Sequence, residues 1–495
     1  MAHSKVPAQW LSRRATLFGG AGSVFMAGLG NVPAWGEQTL KDRGLDSIIV
    51  DVIREKFGDL PHSLVVLIPS GSGANLAPIV AAFERKTSVK IQLIEADTDG
   101  INTELMLDTM LGGNKYDVAL PATFGLSDLV LAQAVLPLDA YKQRHEPDGF
   151  RKGVLYQGGD EFEGHTYGFQ TDGDAYLMFY NNKMLGDPSL QKRYADRFGI
   201  DLDVPLTWAE LDRQMLFFHN PDQNCFGGAM FRTPQYLVWE WWIRFHSKGI
   251  WPLSSEMSPQ IDGDAGIAAL EEMIAITQAF VPGTTEMGLF ENWKRYARGD
   301  IYANIGWGGT QKYLNGPKSK MRGKMSFGPM PGGKFGDETI PMPYFNWGWS
   351  YVVSATSSEP ELAYLFSLFA ASPEMSTRAV RQADGFFDPF RPEHYDDPGI
   401  IKAYSGSFLE VQRASLEQAI PDFYLKGRSE YFSALADGLD QALQGEIKPE
   451  AALKRVAQNW QLITSRAGRV DQIRRWQELR SQYPVAVRRV LRDLT

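Results

Sequence analysis

The sequence predicts an α/β fold arranged as two lobes, and three observations support that prediction. The chain has 495 residues, more than a single hydrophobic core usually organises, so two lobes or domains are expected. Apolar residues make up 44% of the chain and charged residues 22%, which are the proportions of a folded globular protein. From Ser63 onward, short apolar runs alternate with amphipathic segments, the pattern of parallel strands joined by helices.

Three strand-and-helix units open this pattern. SLVVLIPS, from Ser63, predicts a buried strand and GANLAPIVAAFERKT a helix; VKIQLIEA and NTELMLDTMLGG repeat the unit, and KYDVALPAT with LSDLVLAQA forms a third. Right-handed crossovers between such strands make a parallel sheet, and the loops at the carboxyl ends of its strands face a ligand crevice. Those loops contain three candidate ligand contacts, Ser72, Asp99 and Thr123.

A second region begins near YGFQTDGDAYLMFYNNKML at 167–185. In VPLTWAEL, Thr207 and Glu210 have the spacing of a capping box, which predicts the start of a helix. YLVWEWWIRFH at 236–246 predicts a helix whose three tryptophans cannot all share one face. We expect one of them, Trp242, to face the cleft. YFSALADGLDQALQG and KPEAALKRVAQNW predict two further helices.

Residues 465–495 form an arginine-rich tail with eight arginines against three acidic residues. Two interpretations stay open for this tail. It is either a solvated helical appendage or a segment that docks on a partner or an anionic surface.

The N-terminus predicts an export signal. Arg13 and Arg14 precede an apolar, glycine-rich segment, and small residues that suit cleavage follow before residue 37. The paired arginines resemble the twin-arginine class of signal. The apolar segment is too short for a stable membrane span, and an amphipathic N-terminal helix is the alternative. We expect the protein to be exported.

Several kinds of chemistry are excluded or find no support in the sequence. The formal net charge of −9 argues against nucleic acid as the main partner, since that binding needs a basic surface. The single cysteine, Cys225, rules out an internal disulfide and a zinc site with several thiolates. The seven histidines lack metal-ligand spacing, and the motifs of hydrolases and metalloproteases are missing. We therefore expect no catalytic residue, no metal and no cofactor.

Tryptophan is the most distinctive residue, with 13 in the chain, several of them beside glycine or asparagine. Glycine leaves an indole face uncovered, and small-ligand sites combine apolar walls with a few placed polar groups. Trp307 in NIGWGG and Trp347 in PYFNWGWSYVV are candidate stacking surfaces for the C–H faces of a sugar, with Trp242 as a third. Core packing is the alternative for each indole. The candidate hydroxyl partners are Asp99, Asp172, Asn346 and Arg391.

Several segments, in order, resemble the family 1 extracellular solute-binding proteins, the carbohydrate-binding components of bacterial ABC importers of the maltose-binding-protein type. FERKTSVKIQLIEA is similar to the family's first helix and second strand, and YDVALPATFGLSDLVLAQAVLPLDAY, YGFQTDGDAYLMFYNNKML and VPLTWAEL follow in family order. RYARGDIYANIGWGG, FGPMPGGK, NWGWSYVVSATSSEPELAYLFSLFAASPE, GFFDPFRPEHYDDP and GEIKPEAALKRVAQNW extend the resemblance over most of residues 62–464. The chain departs from the family pattern in its twin-arginine-like signal, in the missing lipid-anchor cysteine, in the tail, and in N-W-G-W where the family has a glycine pair.

The resemblance implies a two-lobe periplasmic-binding-protein fold of type II, with mixed sheets flanked by helices and the ligand cleft between the lobes. The expected parts are an export signal at 1–36, an N-terminal extension at 37–62, lobe 1 at 63–170 and 350–385, lobe 2 at 171–349 and 386–464, and an arginine-rich helical tail at 465–495.

The resemblance also implies a function. We expect a periplasmic substrate-binding protein of an ABC transporter, which captures a carbohydrate or polyol in the cleft and delivers it to a permease in the inner membrane. It would be a monomer without catalysis of its own. Two alternatives stay open: a secreted carbohydrate-active enzyme that uses two acids, and an exported binder of a peptide, an osmolyte or an anion.

Overall fold

The computed structural model describes residues 45–58 and 61–494. The predicted export signal at 1–36 lies outside the described residues. The described part of the predicted extension at 37–62 contains a helix, Leu45–Phe57. In these two described ranges, no helix combines the length and the apolar character that a membrane span requires.

The described strands are numbered in chain order. They are β1 (Ser63–Pro69), β2 (Lys90–Ala96), β3 (Val118–Ala119), β4 (Glu161–Phe162), β5 (His165–Thr166), β6 (Gly168–Gln170), β7 (Ala175–Asn181), β8 (Phe226–Ala229), β9 (Ile301–Gly306), β10 (Met325–Pro329), β11 (Gly333–Phe335), β12 (Glu338–Ile340), β13 (Tyr344–Phe345) and β14 (Ser350–Val353).

The described α-helices lie mostly between and after these strands. They span Leu45–Phe57, Gly73–Thr87, Ile101–Met110, Leu126–Leu131, Asp139–His145, Asn182–Leu185, Pro188–Phe198, Trp208–Phe218, Pro234–His246, Asp264–Ile276, Leu289–Tyr296, Gly308–Asn315, Pro360–Ala370, Pro373–Val380, Pro392–Asp396, Pro398–Tyr404, Gly406–Glu417, Arg428–Leu443, Pro449–Arg466, Arg469–Gln482 and Val485–Val490.

The first sheet has the strand order β2-β1-β3-β14-β6. β1 pairs in parallel with β2 and β3, and β14 runs antiparallel to β3 and β6. β1 is buried along most of its length, as expected for a central parallel strand covered on both faces. The chain leaves β1 toward β2 and returns to β3 on the other side of β1, so a crevice opens at the carboxyl ends of β1 and β3.

The second sheet has the order β10-β7-β9-β8, and β13 also pairs with β7. β7 runs antiparallel to β9, β10 and β13, whereas β8 and β9 are parallel. Helices Trp208–Phe218 and Gly406–Glu417 pack against this sheet. Mixed sheets flanked by helices are the predicted architecture.

Three segments of the described chain pass between the two sheets. Residues 171–174 lead from β6 to β7, and residues 346–349 return from β13 to β14. Residues 381–391 form the third crossing. They follow helix Pro373–Val380, which packs on helix Gly73–Thr87, and they lead to the helices that cover the second sheet. The crossings bring their side chains to the junction of the two halves.

Local sequence signals explain where some helices begin and end. Helix Trp208–Phe218 begins with the predicted capping box, in which the Glu210 N–H donates to the Thr207 hydroxyl at 3.2 Å and the Thr207 N–H donates to the Glu210 carboxylate at 3.1 Å. The capping-box prediction is confirmed. Helix Gly73–Thr87 ends at Ser88, whose φ of 67° takes the chain out of the helical conformation.

The arginine-rich tail packs into the core. Trp476 is fully buried, and its ring centroid lies 5.8 Å from that of Trp251. Its indole N–H donates to the Leu253 carbonyl at 3.2 Å. The interpretation of the tail as a solvated appendage is therefore wrong, because Trp476 and Leu479 of helix Arg469–Gln482 are buried in the hydrophobic core.

The tail also reaches the first half of the molecule. Glu163 lies in the turn between β4 and β5, and it forms ion pairs with Arg475 and, at 3.2 Å, with Lys426. The Arg475 guanidinium lies 4.7 Å from the centroid of the Phe162 ring. The tail therefore bridges the two halves on the side of this hairpin.

Replacing Trp476 with phenylalanine is expected to lower the free energy of unfolding by about 2 kcal/mol, because the variant loses indole packing and the hydrogen bond to Leu253. Urea denaturation measures the difference. Val470→Ala is the matched control on the same helix; Val470 is 82% exposed, so its truncation is expected to change stability by less than about 0.5 kcal/mol. Equal stability of Trp476→Phe and Val470→Ala would show that the tail does not belong to the cooperative core.

Candidate functional site

A small cavity lies at the junction of the two sheets, and all three crossings contribute to its wall. Its free volume is about 40 Å³, which is room for a few water molecules. Four indoles, two phenyl rings and one carboxylate dominate the wall. The lining residues are Thr98, Asp174, Leu289, Phe290, Trp293, Trp307, Gly309, Trp347, Trp349 and Phe386.

A larger open groove, of about 760 Å³, lies between the β4–β5 hairpin and the tail. Its walls include Glu163 and Arg475, which already pair with each other. None of the three crossings lines this groove, and the described tryptophans lie elsewhere. We therefore take the smaller, aromatic cavity as the candidate site.

The sequence N-W-G-W places two indoles at the second crossing. Gly348, between them, has a φ of 109°, a conformation that residues with a Cβ rarely adopt. A Cβ at this position would also lie 2.4 Å from the ring of Phe345. The glycine therefore permits the turn through which Trp347 and Trp349 both line the cavity.

The predicted indoles Trp307 and Trp347 lie together. Trp307 directly follows β9, and its ring centroid is 5.5 Å from that of Trp347, with the planes at 85°. Trp239 contacts both rings, at 5.8 Å from Trp307 and 5.2 Å from Trp347. Edge-to-face and tilted contacts of this kind stabilise aromatic clusters. The wall of the cavity is therefore held in place by a second layer of rings.

Polar groups in this cluster are only partly paired. The Trp307 indole N–H donates to the Asn346 side-chain carbonyl at 3.0 Å. Asn346 Nδ2 and the indole N–H groups of Trp293 and Trp347 are buried and meet no acceptor among residues 45–58 and 61–494. A buried donor without an acceptor costs about 1–3 kcal/mol. Two indoles that line the cavity, Trp293 and Trp347, therefore carry buried N–H groups without an acceptor in the described part of the chain.

Carboxylates form part of the wall and the layer behind it. Oxygen atoms of Asp172, Asp174 and Asp388 lie within 4.8 Å of one another, and the Asp388 N–H donates to Asp172 Oδ1 at 2.7 Å. Burial raises the pKa of Asp172 and of Asp174 well above the ordinary aspartate value, and the charge of the neighbouring carboxylates raises both further. Burial lowers the pKa of Lys312 to about 8, although the three carboxylates oppose that change. The predicted residue Asp172 therefore lies beside the site, and Asp174 lines it.

Trp242 does not lie at the cavity, contrary to the prediction. It is fully buried, with its ring 5.3 Å from that of Phe432 and 5.5 Å from that of Phe423. Trp239, one turn earlier, faces the cluster instead. Helix Pro234–His246 is buried on all sides, so each of its indoles finds a different partner and the sequence pattern does not single out one face.

Arg391 and Ser72 are also directed away from the cavity. The Arg391 guanidinium donates to the carbonyls of Phe150 at 3.1 Å and Ala371 at 3.0 Å. The Ser72 hydroxyl donates to the Pro69 carbonyl at 2.6 Å. Both predictions are corrected for the same reason: nearby backbone carbonyls, which a sequence pattern does not reveal, accept from the Ser72 hydroxyl and from both terminal nitrogens of Arg391.

Thr123 and Asp99 border the aromatic cluster, and each is connected to it by a hydrogen bond. The Thr123 hydroxyl donates to the Trp347 carbonyl at 2.8 Å and so holds the second crossing. The Tyr236 hydroxyl donates to Asp99 at 3.1 Å, and its ring lies 5.8 Å from that of Trp347. Burial raises the pKa of Asp99, although the hydrogen bond from Tyr236 opposes that change.

Sequence reasoning missed several lining residues. The sequence did contain an indication for Asp174. It lies two residues after Asp172 in D-G-D, and both residues belong to one crossing. Trp293 and Phe290 lie on helix Leu289–Tyr296, and their spacing of three residues is equally typical of core packing. Only the tertiary position of this helix makes them part of the wall.

Comparisons with known proteins agree with this architecture. Residues 78–405 match the family model described as "Bacterial extracellular solute-binding protein", which is more than half of the chain. The matched range contains all three crossings and every lining residue of the cavity. No curated protein sequence matches the chain.

Solved structures show the same fold at low sequence identity. Maltose-bound T. maritima MalE3 superposes with a TM-score of 0.70 at 18% identity, over 82% of this chain and 100% of that one. An ABC transporter solute binding protein from Agrobacterium radiobacter K84, in complex with ribitol, gives 0.68 at 17%, over 81% and 98%. One from Agrobacterium vitis S4, with bound D-mannitol, gives 0.67 at 16%, over 82% and 99%. The predicted two-lobe fold is confirmed.

Proposed function

Because the chain belongs to the bacterial extracellular solute-binding protein family, we propose that it is the substrate-binding protein of an ABC transporter and captures a sugar or polyol between its two halves. The observation that carries this proposal is the cavity at the three crossings, where four indoles surround one carboxylate. The solved structures with maltose, ribitol and D-mannitol support the same ligand class.

The wall of the cavity suits a polyhydroxylated ligand. Indole faces accept the C–H faces of a sugar ring or polyol chain, and a few polar groups fix the orientation. Asp174 would accept hydrogen bonds from ligand hydroxyls, whereas the indole N–H groups of Trp293 and Trp347 would donate to ligand oxygens. The two indole N–H groups have no acceptor among the described residues, so a bond from either of them to a ligand gains more than a bond from a solvated donor.

Ligand entry requires the two halves to separate, because the free volume of about 40 Å³ is too small for a sugar. Contacts between the halves hold the present arrangement. They include the Tyr236–Asp99 hydrogen bond and the Ser429 N–H, which donates to Asp128 at 3.0 Å. A ligand that contacts both walls favours the closed arrangement by its differential contacts, which is the mechanism of hinge closure. The closed surface would be presented to a permease in the inner membrane.

The proposal includes a periplasmic location, a monomeric state and no catalysis. Burial of the acids supports a binder over a glycosidase. Asp172 and Asp388 are fully buried behind the wall, and one acid lines the cavity, whereas glycoside hydrolysis ordinarily needs two acids that flank the scissile bond.

A thermal-shift screen tests the function directly. The purified protein is incubated with maltose, D-mannitol, ribitol, amino acids, peptides and inorganic anions, because any ligand of the folded state raises the melting temperature. We expect at least one sugar or polyol to raise it and to change tryptophan fluorescence. Each active compound is then recovered and analysed for products. A shift by peptides or anions alone would overturn the ligand class, and time-dependent product formation would overturn the non-catalytic assignment.

A further inference from the structure

One ionisable side chain lines the cavity. Asp174 is 7% exposed and reaches the wall, and the other lining residues are aromatic, aliphatic, threonine or glycine. No lysine, arginine or histidine belongs to the lining residues in the described part of the chain. A charged group of a bound ligand would therefore interact most directly with the Asp174 carboxylate.

Two further carboxyl groups, those of Asp172 and Asp388, form the layer behind Asp174. Carboxylate oxygens of Asp172 and Asp388 lie within 4.8 Å of those of Asp174. The Lys312 ammonium is the cation whose charge the three carboxylates share, and it donates to the Phe387 carbonyl at 2.9 Å. Three acids thus face one cation in a region away from water.

The hydrogen bonds of this layer leave one buried carboxyl oxygen without a donor in the described part of the chain. Asp388 accepts from the Gly308 N–H at 2.6 Å and from the Tyr404 hydroxyl at 2.7 Å, and Asp172 Oδ1 accepts from the Asp388 N–H. Asp172 Oδ2 is fully buried and has no donor among residues 45–58 and 61–494. Burial and the neighbouring carboxyl groups raise the pKa of Asp174, so its charged form is unfavourable without a counter-charge. An ammonium group in the cavity would supply that counter-charge and would in turn be stabilised by the ionised carboxylate.

The aromatic walls favour the same kind of ligand. An ammonium group is attracted to the face of an aromatic ring, most strongly to that of tryptophan, when it lies within about 6 Å of the centroid. Trp293, Trp307, Trp347 and Trp349 surround the cavity beside Asp174. A metal ion fits less well, because indoles supply no oxygen ligands and the oxygens of Asp388 already accept hydrogen bonds.

We infer that the ligand carries an ammonium group, so that this protein prefers an amine-bearing sugar or polyol, with the ammonium held between Asp174 and the indole faces. This inference rests on the proposed function and narrows its ligand class. Asp174 then acts as the residue that determines specificity for charge.

The test uses matched pairs that differ in one group. D-Glucosamine is compared with D-glucose and with N-acetyl-D-glucosamine, and 1-amino-1-deoxy-D-sorbitol with D-sorbitol, by isothermal titration calorimetry of the full-length exported protein. We expect the amine of at least one pair to bind at least about 10-fold more tightly than its neutral counterparts, as one buried charge contact allows. Equal or weaker binding of both amines, while a neutral sugar or polyol binds, would overturn the inference and leave the proposed function intact. Failure of every sugar, polyol and amine would overturn both.

Substitutions test whether the Asp174 carboxylate causes the preference for amines over neutral compounds. Asp174→Asn is expected to bring the amine-to-neutral ratio of affinities within about 3-fold, while the neutral compound still binds. Asp196→Asn removes the same charge from an exposed helix and is expected to leave the ratio unchanged. Should Asp174→Asn not fold, as judged by circular dichroism, the nearly isosteric Asp172→Asn is expected to lower the ratio through the layer behind. If folded Asp174→Asn or Asp172→Asn protein still prefers the amine as strongly as the wild type does, these carboxylates do not determine the preference.

Discussion

Replacing Trp347 with alanine is expected to weaken sugar or polyol binding on the order of 100-fold, the effect of removing a central aromatic anchor from a buried site. Trp347 lines the cavity, and its buried indole N–H has no acceptor among residues 45–58 and 61–494. Its ring also contacts Trp239 and Trp307, so the substitution removes both a wall and part of the support of that wall. Calorimetric titration with the ligand identified by the thermal-shift screen measures the loss.

A core indole supplies the matched control for this substitution. Trp242→Ala removes the same side chain from the packing against Phe423 and Phe432, away from the cavity. We expect it to lower the free energy of unfolding by about 3–5 kcal/mol and to change the affinity little. Trp347→Phe separates stacking from hydrogen bonding, because it keeps an aromatic face and loses the N–H. Unchanged affinity in Trp347→Ala, together with weaker binding in Trp242→Ala, would contradict the proposed location of the site.

Replacing Glu240 with glutamine is expected to lower the free energy of unfolding by about 3–5 kcal/mol, because it leaves buried positive charge without its partner. Glu240 accepts from Arg232 at 2.6 Å and from Arg244 at 2.8 Å, and both arginines are fully buried. Arg244 keeps a second carboxylate, Asp212, at 2.7 Å. Arg232 keeps neutral acceptors, including the Phe231 carbonyl at 2.7 Å, and therefore carries most of the penalty.

The same network predicts a dependence of stability on pH. Burial opposes ionisation of Glu240, but the charges and hydrogen bonds of Arg232 and Arg244 outweigh burial and lower its pKa below the ordinary value of 4.5. Since the unfolded chain takes up this proton at a higher pH than the folded protein, the stabilisation is complete above the unfolded pKa and is lost as the pH falls through the folded one. Wild-type stability is expected to fall below about pH 5, and Glu240→Gln to show a smaller dependence there.

Urea denaturation at pH 7 and at pH 4 tests both statements. Glu417→Gln is the matched control, because its ion pair with Arg413 is exposed and is expected to contribute less than about 1 kcal/mol. A Glu240→Gln protein as stable as Glu417→Gln at both pH values would show that the buried pair is replaceable by a neutral group.

The fold was predictable where a signal is local. The buried run of β1 and the capping box at Thr207 depend on a few neighbouring residues, and both were predicted from the sequence. Helix Leu45–Phe57 and the docking of the tail were not. The tail has a polar composition, and the few apolar residues that bury it, such as Trp476, find their partners more than 200 residues away in sequence.

The candidate site was predictable in part for the same reason. Glycine beside Trp307 and Trp347 indicated exposed indole faces, and the structure brings both to one cavity. The pattern W-E-W-W could not distinguish Trp239 from Trp242, because a helix buried on all sides has no polar face to orient it. Arg391 looked free in the sequence, but its acceptors are backbone carbonyls that any sequence could supply.

Distant parts of the chain complete each half, and this governs how the protein can fold as it is synthesised. β14, at Ser350–Val353, must insert between β3 and β6 before the first sheet is closed. The backbone N–H of Trp251 donates to the Arg492 carbonyl at 3.1 Å. The contacts of the second half are therefore complete only after residues some 240 positions later have been synthesised. Such non-local contacts slow folding and leave apolar strands exposed meanwhile. The newly made chain is therefore expected to depend on chaperones until residue 492 has left the ribosome.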